Sequence, residues 1–473
     1  MELELQWASK IIEGIGGKIA GRTDGTVKGV SIDTRKECEG TIFVALHGER
    51  TDGHKFVEEA LRKGAKAVVI DGSAAEAAGS LGDSAREVAI FAVRDTLKAL
   101  QRLAAEYRKL IGPRVVAVTG STGKTTTKEM IASVLSRRFK VHSTPGNLNN
   151  HIGLPVTILG MEGSEDVLVT EMGASAPKEI HALSDIAGPD YGVVTNIGPA
   201  HLEFFKTLKG VAKAKAELLE ALPRRGKAVL PRDDDFFEFL VSKTAAQYVS
   251  FGFSPEADYT ISNLERLEGP RGYGFTINET ALKIHLYGKH NVLNAACAFA
   301  VGEIFGVEPP DIAGAIEETE QPSSRGVVYD LGGITIVDDS YNSNPASLKS
   351  AVESFVDMPV EGKRWLVLGD MLELGQQSKD LHSEMGVICG KAGVDGLITL
   401  GTESVELNRQ ASVQRKAPPV ISHFIDAAKL AGYLNEYLQP GDAVLIKGSR
   451  GMRMEKVLEE LEHLREVSPE RID

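Results

Sequence analysis

Cysteine is scarce in this 473-residue chain: Cys38, Cys297 and Cys389 are few, odd in number and far apart. Their spacing argues against a disulfide framework or a CxxC metal site and indicates reduced core thiols. No stretch approaches the ~18 consecutive apolar residues of a membrane helix, and acidic residues among the first twenty argue against a signal peptide. We therefore expect a cytoplasmic protein without membrane insertion.

Basic residues are fewer than acidic ones, with 53 Lys and Arg against 66 Asp and Glu. The net charge of −13 argues against nucleic acid or an anionic membrane as the main partner, because the average surface would repel both. With 42% hydrophobic and 25% charged residues, the composition is that of an ordinary globular protein. At typical domain sizes, 473 residues predict about three domains.

One stretch, residues 114–127, carries the strongest functional signal. Residues 115–118 are apolar and predict a buried strand, and a turn that contains glycine then leads into a helix. Gly120 and Gly123 would let backbone amides approach an anion at the helix start, where the dipole favours negative charge. This arrangement predicts a loop that binds the phosphates of ATP, although Val118 stands where the standard pattern has its first glycine. An ordinary glycine turn is the alternative.

The side chains of this loop also fit phosphate chemistry. Lys124 would reach the outer phosphates, and the Thr125 hydroxyl is placed to bind a Mg²⁺ ion that bridges them. The residues predicted to bind ATP here are Thr119, Gly120, Ser121, Thr122, Gly123, Lys124, Thr125 and Thr126.

The segment after the loop alternates predicted strands and helices up to residue 230. This pattern predicts a parallel sheet whose ligands bind at the carboxyl ends of its strands. Glu171 ends one predicted strand and could bind Mg²⁺ through oxygen, and His201 follows another and could bind metal or phosphate. A solvated carboxylate and a structural histidine are the respective alternatives.

Lys215 lies on the apolar face of a helix predicted over residues 208–222, whereas Lys213 points elsewhere. Burial should lower the pKa of the amine, so that the neutral form could react with CO₂ to give a carbamate. Such a carbamylated lysine could hold a second Mg²⁺ or order the site. The alternative is a lysine whose stem covers apolar surface while its ammonium reaches water.

Between residues 231 and 286 the alternation gives way to antiparallel strand signals, including residues 248–253 and the glycine-rich 268–276. A helix rich in alanine follows. Near its start, Asn291 and Asn294 are three residues apart on one face, where their amides could contact an adenine edge. Helix capping is the alternative, and it accounts better for one asparagine than for two.

Two further segments flank the central one. Residues up to about 111 predict a small α/β domain that ends at a Gly-Pro pair, and its ligand-contact candidates lie in loops: Ser31, Thr34, Arg35, Asp52 and His54. From about residue 321 a second open α/β sheet is predicted, with strands at 334–338, 365–368, 396–400, 420–424 and 442–446. Its polar loops at 338–345, 369–375 and 447–453 indicate a site that faces another domain.

Seven motifs together resemble those of the Mur ligases of peptidoglycan synthesis. They are TGSTGKTT at 119–126, NLNN at 147–150, TNIG at 195–198 with His201, GKHNVLN at 288–294, DSYNSNP at 339–345, GDMLELG at 369–375 and KGSRGMRME at 447–455. The resemblance spans nearly the whole chain. The last three motifs are similar to those of members that add D-alanyl-D-alanine to UDP-N-acetylmuramoyl-tripeptide.

The resemblance implies an α/β fold of three domains: a UDP-sugar-binding domain at residues 1–112, a central ATP-binding domain at 113–322, and a C-terminal Rossmann-like domain at 323–473. It also implies ATP and Mg²⁺ as cofactors and amide formation through an acyl phosphate, with release of ADP. We expect small-molecule substrates and a monomeric protein.

The resemblance assigns roles to residues of this chain. Lys124, His201 and Lys215 would be catalytic, and Thr125, Glu171, His201 and carbamylated Lys215 would bind metal. Asn291, Asn294, Arg325 and Asp339 would contact the nucleotide. Ser31, Thr34, Arg35, Asp52, His54, Asn147 and Asn150 would bind the UDP substrate, and Lys447, Ser449 and Arg450 would bind the dipeptide. Two positions depart from the family pattern, because Pro231 replaces a usual Asn and Ser324 replaces the Gly that usually precedes Arg325.

Rival functions share only parts of this pattern. Another Mur ligase would add a single amino acid, and residues 447–455 argue against it. A ligase of the folylpolyglutamate synthase type would not need the first 112 residues. A nucleotide-dependent switch or transport ATPase would carry the phosphate loop without an acceptor domain, and a non-catalytic nucleotide-binding module would not turn over ATP.

Overall fold

Three large sheets flanked by helices, and one two-stranded sheet, make up the protein in a computed structural model, which describes residues 3–48, 51–72 and 87–472. The strands of the N-terminal unit are β1 (Leu3–Glu4), β2 (Lys18–Gly21), β3 (Thr26–Val27), β4 (Gly29–Ser31), β5 (Thr41–Val44), β6 (Ala67–Asp71) and β7 (Ala89–Val93). Its helices are α1 (Leu5–Gly14), α2 (Val57–Arg62) and α3 (Thr96–Ile111). The main sheet has the order β2-β7-β6-β5-β4 and is parallel except for β2, while β1 pairs with β3.

Helix α3 joins this unit to the next. The Asp95 carboxylate caps its start by accepting the backbone N–H of Lys98, and Gly112 ends it in the left-handed conformation at φ +69°. The buried Tyr107 hydroxyl donates to the carbonyl of Met161 over 2.9 Å, so the helix packs against the central unit.

The central unit holds a nine-stranded sheet. Its strands are β8 (Arg114–Thr119), β9 (Val141–Ser143), β10 (Val167–Glu171), β11 (Tyr191–Val194), β12 (Lys227–Pro231), β13 (Gln247–Gly252), β14 (Tyr259–Arg266), β15 (Tyr273–Ile277) and β16 (Thr280–Ile284). Its helices are α4 (Lys124–Ser136), α5 (Gly153–Leu159), α6 (Glu179–Ala187), α7 (Leu202–Phe205), α8 (Leu208–Glu220), α9 (Phe237–Val241), α10 (His290–Ile304) and α11 (Pro309–Glu317).

Strand order in this sheet decides which side chains meet. The order is β16-β15-β14-β13-β12-β11-β8-β10-β9, so the ends of β11 and β10 flank the end of β8. In register, Glu171 lies opposite Val118, and Val194 lies opposite Thr119. Because these strands are parallel, their carboxyl ends form one edge, as the alternation of strands and helices predicts.

The C-terminal unit is a second open sheet. Its strands are β17 (Val327–Asp330), β18 (Thr335–Asp339), β19 (Arg364–Gly369), β20 (Gly396–Leu400), β21 (Val420–Phe424), β22 (Ala443–Lys447) and β23 (Glu470–Arg471). Its helices are α12 (Pro345–Val356), α13 (Ser378–Lys391), α14 (Ser404–Ser412), α15 (Ala427–Tyr437) and α16 (Glu455–Arg465). The order β21-β20-β19-β22-β18-β17-β23 places the three polar loops after β18, β19 and β22 side by side.

The mixed α/β class and most predicted elements are confirmed, and one prediction is wrong. Residues 247–252 form β13, which pairs in parallel with β12, and antiparallel pairing is confined to β14, β15 and β16 in this region. Val249, Phe251 and Phe253 alternate with Ser250 and Gly252, and this alternation is the pattern typical of an antiparallel strand. Among the described helices, none has the length and apolar character needed to cross a bilayer.

Candidate active site

The turn between β8 and α4 depends on its two glycines. Gly120 has φ +146° and Gly123 has φ +78°, conformations that favour glycine. A Cβ on Gly123 would lie 2.5 Å from Asn294 Oδ1, and one on Gly120 would overlap the Thr195 hydroxyl. Asn196, after β11, supports the loop by accepting the Ser121 and Thr122 backbone N–H groups. The loop therefore has one shape, fixed by its neighbours.

A buried carboxylate stands beside this loop. Glu171 is 1% exposed; its Oε2 accepts the Thr125 hydroxyl over 2.7 Å, and its Oε1 accepts the Asn149 amide over 2.7 Å. The Lys124 ammonium donates to the carbonyl of Gly120 over 3.0 Å. Burial lowers the pKa of Lys124, the Glu171 charge opposes that effect, and Arg325 adds to it. This corner offers the hard oxygen donors that suit Mg²⁺.

Lys215 is buried, as its helical position predicts. It is 1% exposed on α8, whereas Lys213 on the same helix is exposed. Its amine lies 5.8 Å from the centroid of the Phe205 ring. Burial lowers the pKa of Lys215 to about 7, and the charge of Lys124 contributes in the same direction. Burial thus acts in the direction that the helical position predicts, and it favours a neutral amine near neutral pH.

His201 reaches across to the C-terminal unit. Its backbone is left-handed at φ +52°, and Nδ1 contacts a carboxylate oxygen of Glu373, which is itself left-handed at φ +61°. The Glu203 N–H donates to the Glu373 carbonyl over 2.9 Å, and the Gln377 amide donates to the carbonyl of Lys206 over 3.0 Å. The loop after β19 is therefore docked on the segment around α7. The contact also lowers the pKa of Glu373.

Arg325 and Asp339 bring charge from the C-terminal unit. The Arg325 guanidinium lies 3.8 Å above the Tyr341 ring, a cation–π contact that fixes its plane. Asp339 Oδ2 accepts from the Lys447 ammonium over 2.6 Å, and Lys447 also donates to the carbonyl of Asn342 over 2.9 Å. Lys447 is only 2% exposed, so this pair is largely shielded from water.

The side chains of Ser449 and Arg450 differ in their exposure and in their hydrogen-bond partners. The Ser449 hydroxyl donates to the carbonyl of Ser343 over 3.0 Å and accepts the backbone N–H of Leu372 over 2.8 Å, which ties the three polar loops together. Arg450 is exposed and pairs with Glu455 over 3.1 Å. Of the three residues predicted to bind the dipeptide, Arg450 has the side chain that is most accessible to a ligand.

Asn291 and Asn294 lie beneath the phosphate loop. The Asn291 amide donates to the carbonyl of Tyr287 over 2.7 Å and accepts from the Asn294 amide over 2.8 Å. The Thr127 hydroxyl donates to Asn294 Oδ1 over 3.1 Å. Both asparagines are buried and used in this network. Their predicted adenine contact stays a prediction, and these contacts favour a supporting role for them.

The residues predicted to bind the UDP substrate lie in two places. Ser31, Thr34, Arg35, Asp52 and His54 lie at or after the carboxyl ends of β4 and β5 in the N-terminal unit. Arg35 is exposed and pairs with Asp33 over 2.7 Å. Asn147 is exposed in the loop before α5, and Asn150 accepts the backbone N–H groups of residues 152 and 153.

A cavity of about 710 Å³ opens where the central and C-terminal units meet. Its walls include the phosphate loop, the corner around Glu171, and the charged groups of the C-terminal unit. The residues that line it include Ser121, Thr122, Gly123, Lys124, Thr126, Asn149, Asn150, Glu171, Glu179, His201, His290, Arg325, Asp339, Tyr341, Asn342 and Lys447. Asn149, His290, Tyr341 and Glu373 were missed by the prediction from sequence. All four lie inside motifs that could have indicated them, at 147–150, 288–294, 339–345 and 369–375 respectively.

A phosphate loop that opens onto a cavity shared with a second α/β unit fits an ATP-dependent ligase, and comparison with known proteins shows that this is the class of the protein. Three family models match the chain: the Mur ligase middle domain at residues 118–302, the Mur ligase glutamate ligase domain at 325–450, and the Mur ligase family catalytic domain at 26–108. The chain belongs to the Mur ligase family, as the sequence motifs predict.

Several relatives match nearly the whole chain. The UDP-N-acetylmuramoyl-tripeptide–D-alanyl-D-alanine ligase of Bacillus subtilis (strain 168) is 37% identical over 438 residues, which is 92% of this chain and 93% of the relative. The ligase of the same name from Escherichia coli (strain K12) is 34% identical over 96% of this chain and 98% of its own length.

Solved structures agree with this assignment. A crystal structure of MurF from Acinetobacter baumannii superposes with a TM-score of 0.86 at 28% identity, over 98% of this chain and 99% of that one. The MurF ligase of Thermotoga maritima, crystallised in complex with ADP, gives a TM-score of 0.78 at 31% identity, over 93% of this chain and 98% of that one.

Proposed function

We propose that this enzyme joins D-alanyl-D-alanine to the peptide of UDP-N-acetylmuramoyl-tripeptide, with ATP as the energy source, in peptidoglycan synthesis. The terminal carboxylate of the tripeptide attacks the γ-phosphorus of ATP, so that an acyl phosphate forms and ADP leaves. The amine of D-alanyl-D-alanine then attacks the acyl carbon, and phosphate leaves as the amide forms. The observation that carries this proposal is the phosphate loop facing the charged residues of a second unit across one cavity.

The triphosphate would lie along the loop between β8 and α4. Backbone amides and the start of α4 would bind its oxygens, while Lys124 balances charge at the outer phosphates. Arg325, held flat against Tyr341, would meet the nucleotide from the C-terminal unit. This arrangement would direct the γ-phosphorus toward the centre of the cavity, and positioning with charge balance is the main protein contribution to phosphoryl transfer.

Thr125 and Glu171 are the residues that would hold Mg²⁺, with His201 as a further ligand. The buried position of Glu171 supports this role, because a carboxylate with only hydroxyl and amide partners is well suited to pair with a cation. When bound, Mg²⁺ neutralises charge on the phosphate oxygens. Glu373 holds His201 from the opposite unit, so it sets the position of the imidazole.

Lys215 would act as a carbamate. Its neutral amine would attack CO₂, forming an N–C bond and releasing one proton to solvent, and the product would carry a negative charge in the wall near Lys124. The depressed pKa of Lys215 supports this step, because the amine must be unprotonated to react. The negative charge of the carbamate would bind a second Mg²⁺ or pair with the Lys124 ammonium.

The dipeptide would approach from the C-terminal loops. Arg450 would bind its carboxylate through the two-pronged guanidinium. Lys447 would act beside it by neutralising the negative charge of Asp339. Ser449 would connect the loop after β22 to the loops after β18 and β19.

The same proposal covers the division into domains. The domain boundaries would fall at residues 112/113 and 322/323. The first domain would bind the UDP sugar through Ser31, Thr34, Arg35, Asp52 and His54, and the second domain would contact it through Asn147 and Asn150. Because both UDP-peptide and ATP are cytoplasmic metabolites in this chemistry, we propose that the enzyme acts there, as a monomer.

The direct test is ADP formation by the purified enzyme. We expect ADP release only with ATP, Mg²⁺, UDP-N-acetylmuramoyl-tripeptide and D-alanyl-D-alanine together. Single amino acids in place of the dipeptide should give little turnover. Equal turnover with a single amino acid would assign another Mur ligase activity, and ADP release without any amine would contradict ligation.

A further inference from the structure

Two histidines and two aspartates form a closed cluster in the N-terminal unit. His47 follows β5, Asp52 caps the short helix that contains His54, and Asp71 ends β6. The rings of His47 and His54 face each other, with centroids 4.7 Å apart and planes inclined by 31°. These side chains are half-buried to exposed, and they lie at the carboxyl edge of a parallel sheet, where ligands tend to bind.

Each ring meets one carboxylate on each side. Asp71 faces both Nε2 atoms, with Oδ2 at 2.6 Å from His47 and Oδ1 at 3.0 Å from His54. Asp52 Oδ1 faces both Nδ1 atoms, at 2.7 Å from His54 and 3.4 Å from His47. The two imidazoles are therefore held face to face at this inclination, with their Nε2 edges toward the same carboxylate.

The hydrogen bonds fix the tautomer of His54. The backbone N–H of Asp71 donates to Nε2 of His54 over 3.1 Å, so the lone pair lies on Nε2 and the proton on Nδ1, which donates to Asp52. Histidine ligands of metals usually have this arrangement: one nitrogen binds the ion, and the other donates to a carboxylate. Asp52 thus already occupies the place of the orienting carboxylate.

Both Nε2 atoms face the Asp71 carboxylate, and a hydrogen bond of 2.6 Å joins His47 Nε2 to Asp71 Oδ2. A divalent cation between these groups would replace the proton of that hydrogen bond, and it would take the Nε2 lone pair of His54 from the Asp71 backbone N–H. The three ligand atoms already lie within 4.8 Å of one another.

We propose that His47, His54 and Asp71 form a binding site for a divalent transition metal, for which Zn²⁺ is the representative ion, with Asp52 as the carboxylate that orients both histidines. At Zn–N and Zn–O bond lengths of about 2.0–2.2 Å, ligand atoms in a tetrahedral site are about 3.4 Å apart, so small side-chain rotations suffice. Two nitrogen ligands disfavour Mg²⁺, which prefers oxygen. Asp52 and His54 are also proposed above to bind the UDP substrate, so this inference places the metal within that site. The exposed side of His47 leaves room for water or an anionic group of the substrate to complete the coordination.

The test is titration of the purified full-length enzyme with ZnCl₂ by calorimetry, with Mg²⁺ in large excess. We expect one tight site per chain in the wild type and its loss in His47→Gln and Asp71→Asn. Asp52→Asn, which retains an oxygen to cap the helix, should weaken binding by about 10- to 100-fold. The matched control is His285→Gln, because His285 is an exposed histidine paired with the single carboxylate of Glu317; its Zn²⁺ affinity should equal that of the wild type.

Two further readouts separate metal loss from misfolding. Zn²⁺ should raise the melting temperature of the wild type and of His285→Gln but not of Asp71→Asn, whose circular dichroism without metal should match the wild type. Substituted Co²⁺ should show visible d–d bands without the near-ultraviolet bands of thiolate ligation. Equal Zn²⁺ affinity in Asp71→Asn and wild type, or thiolate bands from the cysteines, would overturn the proposal.

Discussion

The buried amine of Lys215 allows the sharpest test of the proposed site. Its pKa of about 7 reflects burial first and the repulsion of Lys124 second. At pH 7.5 about three quarters of such amines are neutral, against about 0.1% for a lysine with an ordinary pKa. Since CO₂ reacts only with the neutral form, the site increases the reactive population by several hundred-fold.

Replacement of Lys215 by alanine removes this amine. We expect Lys215→Ala to lower kcat by at least about 100-fold, the size of effect that follows the loss of a charge-stabilising group. A short carboxylate such as formate should restore part of the activity by entering the space with its own negative charge. ADP release in the presence of both substrates measures the rate. The matched control is Lys213→Ala, two residues earlier on the exposed side of α8, and it should behave as wild type.

The carbamate itself can be observed. With ¹³C-labelled bicarbonate, wild type and Lys213→Ala should each show one protected carbamate resonance in ¹³C NMR, and Lys215→Ala should not. An undiminished rate in Lys215→Ala would remove the carbamate from the mechanism. A slow Lys215→Ala variant without formate rescue, combined with no resonance in the wild type, would assign the residue a role as a plain amine.

The same residue has a predicted effect on stability. Because the folded state lowers the pKa of Lys215 from 10.5 to about 7, its burial opposes folding fully below pH 7, and this cost fades as the pH rises toward 10.5. At pH 7 in CO₂-free buffer the cost is about 4 kcal/mol. Lys215→Met, similar in length and uncharged, should therefore raise the free energy of unfolding, with a gain that shrinks by about 2 kcal/mol at pH 9. Denaturant titrations at both pH values measure it, and a pH-independent difference would contradict the depressed pKa.

Three other substitutions test further residues of the proposed site. Lys124→Ala should reduce ADP release that requires both substrates to background, because the outer phosphates lose their cation; activity within a few-fold of wild type would refute the phosphate-loop assignment. Glu373→Gln should lower kcat by roughly 10- to 100-fold through misplacement of His201, with ATP affinity within a few-fold of wild type by equilibrium titration. An unchanged kcat would show that the contact is not needed. Gly123→Ala should cost about 1–2 kcal/mol of stability and weaken ATP binding, because its φ of +78° and the nearby Asn294 oxygen leave no place for a Cβ; wild-type behaviour in both assays would contradict this.

Local patterns were enough to predict the phosphate loop and the burial of Lys215. In both cases the decisive information lies within about ten residues: a strand, two glycines and a helix start, or a lysine four residues after an apolar one on a helix. The position of Glu171 beside the loop needed one more step, the parallel order of neighbouring strands, and the register of β10 on β8 confirms that step.

Partners that come from distant segments could not be predicted in this way. The contact between His201 and Glu373 joins two units across more than 170 residues, and the pair of Lys447 with Asp339 joins β22 to β18. Nothing in the local sequence of Ser449 distinguishes a ligand-binding hydroxyl from one that ties loops together. Such roles depend on tertiary packing, which periodicity does not encode.

The charges around the cavity impose an order on the proposed events. Lys124 lowers the pKa of Lys215, and Arg325 lowers that of Lys124, so the cations hold one another toward neutrality before any nucleotide binds. A bound triphosphate reverses this balance, because its negative charges favour protonated amines and raise both pKa values. Fewer neutral Lys215 amines would then remain to react with CO₂. The carbamate should therefore form before ATP binds, and the bound phosphates should favour the charged form of Lys124.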